Sequence, residues 1–239
     1  MQAVDFSSNK VWNSLLKRRQ SNQSCVIISK LSKNENWLIE ENGGVIGTSL
    51  SPLIVREALT VFNARVNKTF NFKGQDYFIQ VFPRKPTLLI IGVAHIAVDL
   101  VTLAHLHEFQ TILIDPRGYF TTNTHFNTEP NQIYEAYPSE VLHKVKLDPY
   151  TFCAILSHDP KIDDNALEIL LHSKVAYIGA LGSKKTHQKR IERLTSKGIS
   201  QDLISKIQAP IGMPINAKSA KEIALSIMSE IIKFQNQFR

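Results

Sequence analysis

The chain has only two cysteines among 239 residues, Cys25 and Cys153, so neither a disulfide framework nor a four-cysteine zinc site can be built from it. No apolar run approaches the roughly 18 residues of a membrane-spanning helix. The opening stretch, MQAVDFSSNKVWNSLLKRRQ, has no apolar block behind a basic start and so lacks the look of a secretory leader. The expected compartment is the cytoplasm, with no membrane partner. Also missing are a G-x-S-x-G elbow, an H-E-x-x-H helix and a Walker loop. What is present, 43% hydrophobic and 21% charged residues, excludes disorder as the main state and allows a sizeable core.

The net charge of +7 is distributed unevenly. Residues 1–86 carry net +6, residues 87–180 net −6 and residues 181–239 net +7. Lys184, Lys185, Lys189, Arg190 and Arg193 fall at helical spacing in the last segment. Nucleic acid would require such a stripe to be joined by aromatic partners on one face. A solvated helix face, or an anion site for a phosphorylated ligand, is the better reading.

Two domains are expected. Residues 1–84 read as a small α+β unit. Cys25–Leu31 is strand-like, and Trp37–Ile39 and Val45–Ile46 flank an Asn42-Gly43 hairpin signal. Ser51-Pro52 opens a helix with apolar residues at Ile54, Val55, Ala58, Leu59, Phe62 and Val66. A second hairpin, Thr69–Phe82, turns at Lys73-Gly74. Pro83-Arg-Lys-Pro86 reads as a linker.

Residues 87–239 read differently, as α/β: a Rossmann-like parallel sheet with helices on both faces. Thr87–Ile91, Thr111–Asp115, Phe152–Leu156 and Val175–Gly179 are the strands expected, the first buried on both faces. A helix should run from Gly92 to about Phe109, another over Asp164–His172. Ser219 and Glu222 form a capping box ahead of an amphipathic helix carrying Ile223, Ala224, Ile227, Met228 and Ile231.

Three turns follow strands at the carboxyl edge, where open α/β sheets bind ligands. Gly92-Val-Ala-His-Ile-Ala97 stands where G-x-G-x-x-G/A would, with Ala94 in the middle glycine position. His95 sits at the helix start, where free N–H groups favour anions. Asp115 is placed to take a ribose hydroxyl, and Arg117 to meet a 2′-phosphate. Ser157-His158-Asp159 forms the second turn. A metal could be read into it and Asp163–Asp164, but Asp163 or Asp164 serves as well to cap the next helix, and no metal site is assigned. Gly179-Ala-Leu-Gly182-Ser183-Lys184 forms the third, with small residues to admit a phosphate and lysines to charge it. Cys153 lies in an apolar strand, and Cys25 has no basic neighbour evident in sequence.

These turns, in this order, resemble the XdhC/CoxI family of xanthine dehydrogenase accessory proteins. The carrying residues are Leu89–Ala97, Asp115-Pro-Arg117 with Phe120 and Phe126, Ser157-His158-Asp159 with Asp163, Tyr177–Lys184, and Pro210–Ala217 running into Glu222–Glu230. The resemblance implies a cytoplasmic, homo-oligomeric protein. It would bind the molybdenum cofactor (molybdopterin, a phosphorylated pterin) as cargo and deliver it to a molybdoenzyme of the xanthine dehydrogenase type. The family turn is usually Gly-Ala-Gly-His, against Gly92-Val-Ala-His95 here. Gly43–Thr48 resembles the start of a family segment that continues into a glycine run with a cysteine, but this chain continues Ser49-Leu-Ser-Pro-Leu53. No residue here takes that cysteine's place.

The leading expectation is a cofactor-binding chaperone rather than an enzyme, its ligand held by Gly92, Ala94, His95, Asp115, Arg117, Ser157, His158, Asp159, Gly179, Gly182, Ser183 and Lys184. The phosphate should lie near His95 and Ser183–Lys184, where the loops after the first and fourth strands converge. Two other readings stand beside it. One is an NAD(P)-dependent oxidoreductase with His158 as its only candidate acid. The other is a binding-only scaffold that docks an acidic enzyme.

Overall fold

The computed structural model describes residues 10–33, 35–118 and 126–237. These divide into two compact units, one ending at Arg84 and the other spanning Lys85–Gln237. Phe120 lies outside the described residues.

The first unit consists of α1 (Lys10–Gln20), β1 (Cys25–Lys30), β2 (Glu35–Glu40), β3 (Val45–Ile46), α2 (Pro52–Ala64), β4 (Lys68–Phe72) and β5 (Gln75–Phe82). The strands form an antiparallel sheet in the order β3-β2-β1-β5-β4. Alternation along β1 separates two faces. Val26 and Ile28 pack with Trp37, Ile39 and Ile79 against Ile54, Ala58, Val61 and Phe62 of α2. Cys25, Ile27 and Leu38 face Val11 and Leu15 of α1. Periodicity alone does not predict α1, because only Val11 and Leu15 of its residues are buried. Ser51 does occupy the N-cap of α2, but its hydroxyl makes no capping bond. Its carbonyl instead accepts from Ile54 (3.0 Å) and Val55 (3.1 Å).

The second unit runs β6 (Thr87–Ile91), α3 (His95–Leu106), β7 (Gln110–Ile114), β8 (Gln132–Tyr134), α4 (Pro138–Val141), a 3₁₀ turn (Leu142–Lys144) and β9 (Thr151–Ile155). It continues with α5 (Pro160–Leu170), β10 (Tyr177–Ala180), α6 (Lys184–Ser196), α7 (Gln201–Ile204), β11 (Ile207–Gln208) and α8 (Ala220–Asn236). Its six strands are parallel, in the order β11-β10-β9-β6-β7-β8. This is the Rossmann arrangement: the chain enters at the centre, winds to one edge, then returns to wind toward the other.

Both faces of the sheet are covered. Leu88 and Ile90 meet Ala97, Leu100, Val101 and Ala104 of α3, and Ala224, Ile227, Met228 and Ile231 of α8. Leu89 and Ile91 meet Ile162, Ala166, Leu167 and Leu170 of α5, with Leu194 of α6 and Ile204 of α7. The capping box of α8 forms as the sequence predicts. The sequence does not signal β8 and β11, which are three and two residues long. Helix α5 begins earlier than expected. Asp159 caps it by accepting from Lys161 N–H, with Pro160 in the first turn. Asp163 and Asp164 are therefore helical and buried rather than caps.

Trp12 and Trp37, the chain's two tryptophans, both lie in the first unit, so tryptophan fluorescence reports its unfolding. Ile28→Ala empties a fully buried site between β1 and α2. The fluorescence-detected urea transition should show a loss of about 2–5 kcal/mol.

Candidate functional site

The reversal of winding direction lies between β6 and β9, and it opens a crevice at their carboxyl ends. The two strand ends approach closely. A Cβ on Gly92 would lie 2.4 Å from Ser157 Cα and 2.5 Å from its nitrogen, and Gly92 has φ +92°. Only glycine fits, on both counts. Ala94 has ordinary extended backbone (φ −98°, ψ 171°), so the middle position of the turn requires no glycine for its conformation. It stands at the N-cap of α3, and no side chain caps that helix. His95 is the exposed first residue of α3.

Behind this turn sits Asp115, completely buried at the end of β7. Its Oδ2 accepts from Val93 N–H (2.8 Å) and Arg117 Nη2 (2.6 Å), and its Oδ1 from Arg117 N–H (3.0 Å) and Nε (2.8 Å). Burial alone would push this carboxyl up. The hydrogen bonds from the Arg117 side chain and the backbone of Val93 and Arg117, with the Arg117 charge, outweigh it and hold the carboxyl below its ordinary range. The roles expected from sequence change accordingly. Asp115 is committed to Arg117 and the turn rather than presented to a ribose, and Arg117 binds Asp115 where a 2′-phosphate was expected.

Arg117 Nη1 also reaches Ser157 O at 3.4 Å. Ser157 Oγ donates to Asp163 Oδ1 at 2.5 Å and accepts from Asp159 N–H at 3.0 Å. His158 follows, exposed, with φ +61°, a left-handed conformation that costs a non-glycine residue energy and is found at functional turns. Asp163 Oδ2 accepts from Arg190 Nη2 (3.3 Å), which also donates to Leu181 O (2.9 Å). Arg193 grips Asp164 with two bonds of 2.6 and 2.9 Å.

A cavity of about 300 Å³ opens between the ends of β9 and β10. His158, Asp163, Ser183, Lys185, Lys189 and Arg190 are among its walls. Gly182, at φ +132°, leaves no room for a Cβ beside Thr186, and Ser183 caps α6 by accepting from Thr186 N–H. Of the residues expected at the site, His158 and Ser183 line this cavity, while Gly92, Ala94, His95, Asp115, Arg117 and Ser157 gather beside it at the β6–β9 turn pair. Gly179 is buried in β10, where a Cβ would strike Ile211; it serves packing. Lys184 is exposed and does not line the cavity; Lys185 and Lys189 do. The loops after β6 and β10 flank β9 instead of meeting. Two inter-strand steps separate their strands, about 10 Å. The wall residues that sequence reasoning left unassigned, Arg190 above all, were visible only as a basic helical stripe.

Neither cysteine offers a soft ligand. Burial raises the Cys25 thiol to about 11, the effect offset only in part by Arg18 and Arg19, and burial raises Cys153 as well.

A family model described as the XdhC Rossmann domain matches residues 88–231. The chain belongs to the XdhC family. It is 27% identical over 215 residues to a Bacillus subtilis protein named as a probable xanthine dehydrogenase subunit, covering 89% of this chain and 61% of that protein. It is 31% identical over 101 residues to the molybdenum cofactor insertion chaperone PaoD of Escherichia coli, covering 42% of this chain and 31% of PaoD. A crystal structure described as a xanthine dehydrogenase from Bacillus halodurans matches with a TM-score of 0.70 and 25% identity, over 95% of this chain and 64% of that one. The chain thus spans less than two thirds of each. The matched XdhC Rossmann domain is the β6–α8 unit that carries the crevice.

Gly92→Ala must either push Ser157 away or distort the turn, and we expect a loss of several kcal/mol, at least about 3, in the far-ultraviolet dichroism transition. Asp115→Asn should cost about 2–4 kcal/mol, since it leaves Arg117 short of its counter-charge. Because its carboxyl is depressed, Asp115 contributes stability that is complete above its unfolded value of about 3.9 and is lost as pH falls through the folded value. Urea titrations from pH 6 downward should therefore show the wild type losing more stability below about pH 4 than the asparagine variant.

Proposed function

We propose that this XdhC-family chain is an accessory protein that binds the molybdenum cofactor, or its nucleotide form, and delivers it to a molybdoenzyme of the xanthine dehydrogenase type. The observation that carries this reading is the family's Rossmann domain, here with a basic crevice at its carboxyl edge. Supporting it are two relatives, one named as a cofactor insertion chaperone and one as a xanthine dehydrogenase subunit.

The cargo lies along the carboxyl edge of the sheet. Gly92, Ala94 and His95 meet it at the uncapped start of α3, where N–H groups and the helix dipole favour an anion. Ser157, His158 and Asp159 sit beneath its middle, and Gly182, Ser183 and, in place of Lys184, Lys185 at its far end. Asp115 and Arg117 act by holding the turn. The residues suit a phosphate-bearing pterin in charge and hydrogen bonding, and bind it without a protein thiolate. The chain works in the cytoplasm, as a homo-oligomer, and performs no chemical step on the cargo. The commitment of Asp115 to Arg117 disfavours NAD(P) as the resident ligand.

The test is the mass of small molecules released from protein purified out of molybdate-fed cells. A phosphorylated pterin should be recovered, and His95→Ala should weaken its rebinding roughly fivefold, one hydrogen bond of about 1 kcal/mol. Repeated absence of any pterin, with no binding on titration, would overturn the reading.

A further inference from the structure

We propose that the cavity between the carboxyl ends of β9 and β10 is a phosphate site, with the buried Arg190 as its floor and Lys185 and Lys189 at its rim. The proposal rests on the reading above and deepens it by seating a phosphate or diphosphate group of the cargo here, at the end away from His95.

The decisive group is Arg190, which is 1% exposed. Its Nη2 donates to Leu181 O and Asp163 Oδ2. Its Nε and Nη1 are buried and have no hydrogen-bond partner. Leaving two donors of a buried cation unmatched forfeits the hydration they had in the unfolded chain, and native structures rarely do so without a reason. Arg190 forms part of the cavity wall, so these donors lie directly behind the space an anion would fill. The two lie on different edges of the guanidinium plane, so each offers a single charge-assisted N–H to an anion rather than a paired fork.

The surrounding charge points to the same ligand. Helix α6 opens with Lys184-Lys185 and has no acidic residue in its first turn. Cations at the positive end of a helix dipole oppose it, and an anion seated there reverses the sign. Lys185 and Lys189 are four residues apart on one helical face, a like-charge pair that repels until a dianion lies between them. The other wall charges are already matched. Asp163 spends Oδ1 on Ser157 and Oδ2 on Arg190, and Arg193 is held by Asp164. The hydroxyls of Ser183 and Thr186 and the ring of His158 complete the lining. At about 300 Å³ the cavity is at the small end of ligand sites, sized for a phosphate or diphosphate rather than a whole dinucleotide.

The test is calorimetric titration of the full chain with inorganic phosphate and, separately, inorganic diphosphate, at constant ionic strength so that general screening cancels. At least one should saturate and raise the melting temperature. Tighter binding of phosphate points to a monoester, and tighter binding of diphosphate to a nucleotide-type linkage; either supports the site. Arg190→Lys keeps the charge but removes the planar array of N–H donors, and should weaken binding at least tenfold. The surface double variant Lys185→Gln, Lys189→Gln should do the same without lowering the unliganded melting temperature, since it relieves the repulsion between the two lysines. It decides the matter alone if Arg190→Lys fails to fold. No saturable binding of either anion, or a double variant that binds like wild type, overturns the proposal. Failure here with a pterin still recovered from cells would refute this site and leave the accessory role intact. Anion binding on these residues with no pterin recovered would keep the site and remove the cargo assigned to it.

Discussion

The carboxyl edge of the Rossmann unit depends on one buried carboxylate. Asp115 accepts four hydrogen bonds in a site without solvent exposure, fixing the backbone of the Gly92 turn on one side and Arg117 on the other. From there a polar chain runs on through Arg117 to the Ser157 carbonyl, from the Ser157 hydroxyl to Asp163, and through Arg190 to the Leu181 carbonyl. The ends of β7, β9 and β10 are thus tied by directional contacts, with the end of β6 joined through Val93, where hydrophobic packing alone would specify position loosely. A buried polar network of this kind stabilises only when its members are satisfied. The network is complete except at Arg190, at the cavity wall.

The uneven charge of the chain has a structural cause. The acidic middle segment and the basic last segment meet along α5 and α6, where Asp163 pairs with Arg190, Asp164 with Arg193 and Glu168 with Lys197. Part of what looks in sequence like a polarised molecule is neutralised between two adjacent helices. Lys184, Lys185 and Lys189 have no carboxylate partner among the described residues, and they stand around the start of α6. The positive field is therefore concentrated at the crevice, where a desolvated wall strengthens it.

The departures from the family pattern acquire different meanings in three dimensions. Gly92 is demanded by contact with Ser157, whereas the residue after Val93 has a conformation any amino acid adopts, so Ala94 carries no backbone strain. Its methyl matters only for how near a ligand approaches. The missing cysteine has no hidden substitute, since both thiols are buried among apolar neighbours and held protonated. Recognition then falls to phosphate and ring contacts.

Much of the architecture could be read from residue order because it follows from local rules. Continuous apolar runs such as Thr87–Ile91 announced a sheet covered on both faces, Lys73-Gly74 a hairpin, and Ser219 with Glu222 a helix start. The short strands β8 and β11 escaped notice, since two or three residues hold no periodicity. So did α1, whose sparse apolar face offers little to count. At the site, residue order alone marked the three turns that face solvent at the sheet edge. Whether Asp115 would greet a ribose or clamp Arg117, and whether Asp163 would cap a helix or meet an arginine 27 residues away, was decided only by packing. Spacing reveals periodicity within an element, but the partner of a buried charge is chosen by which elements come to lie side by side.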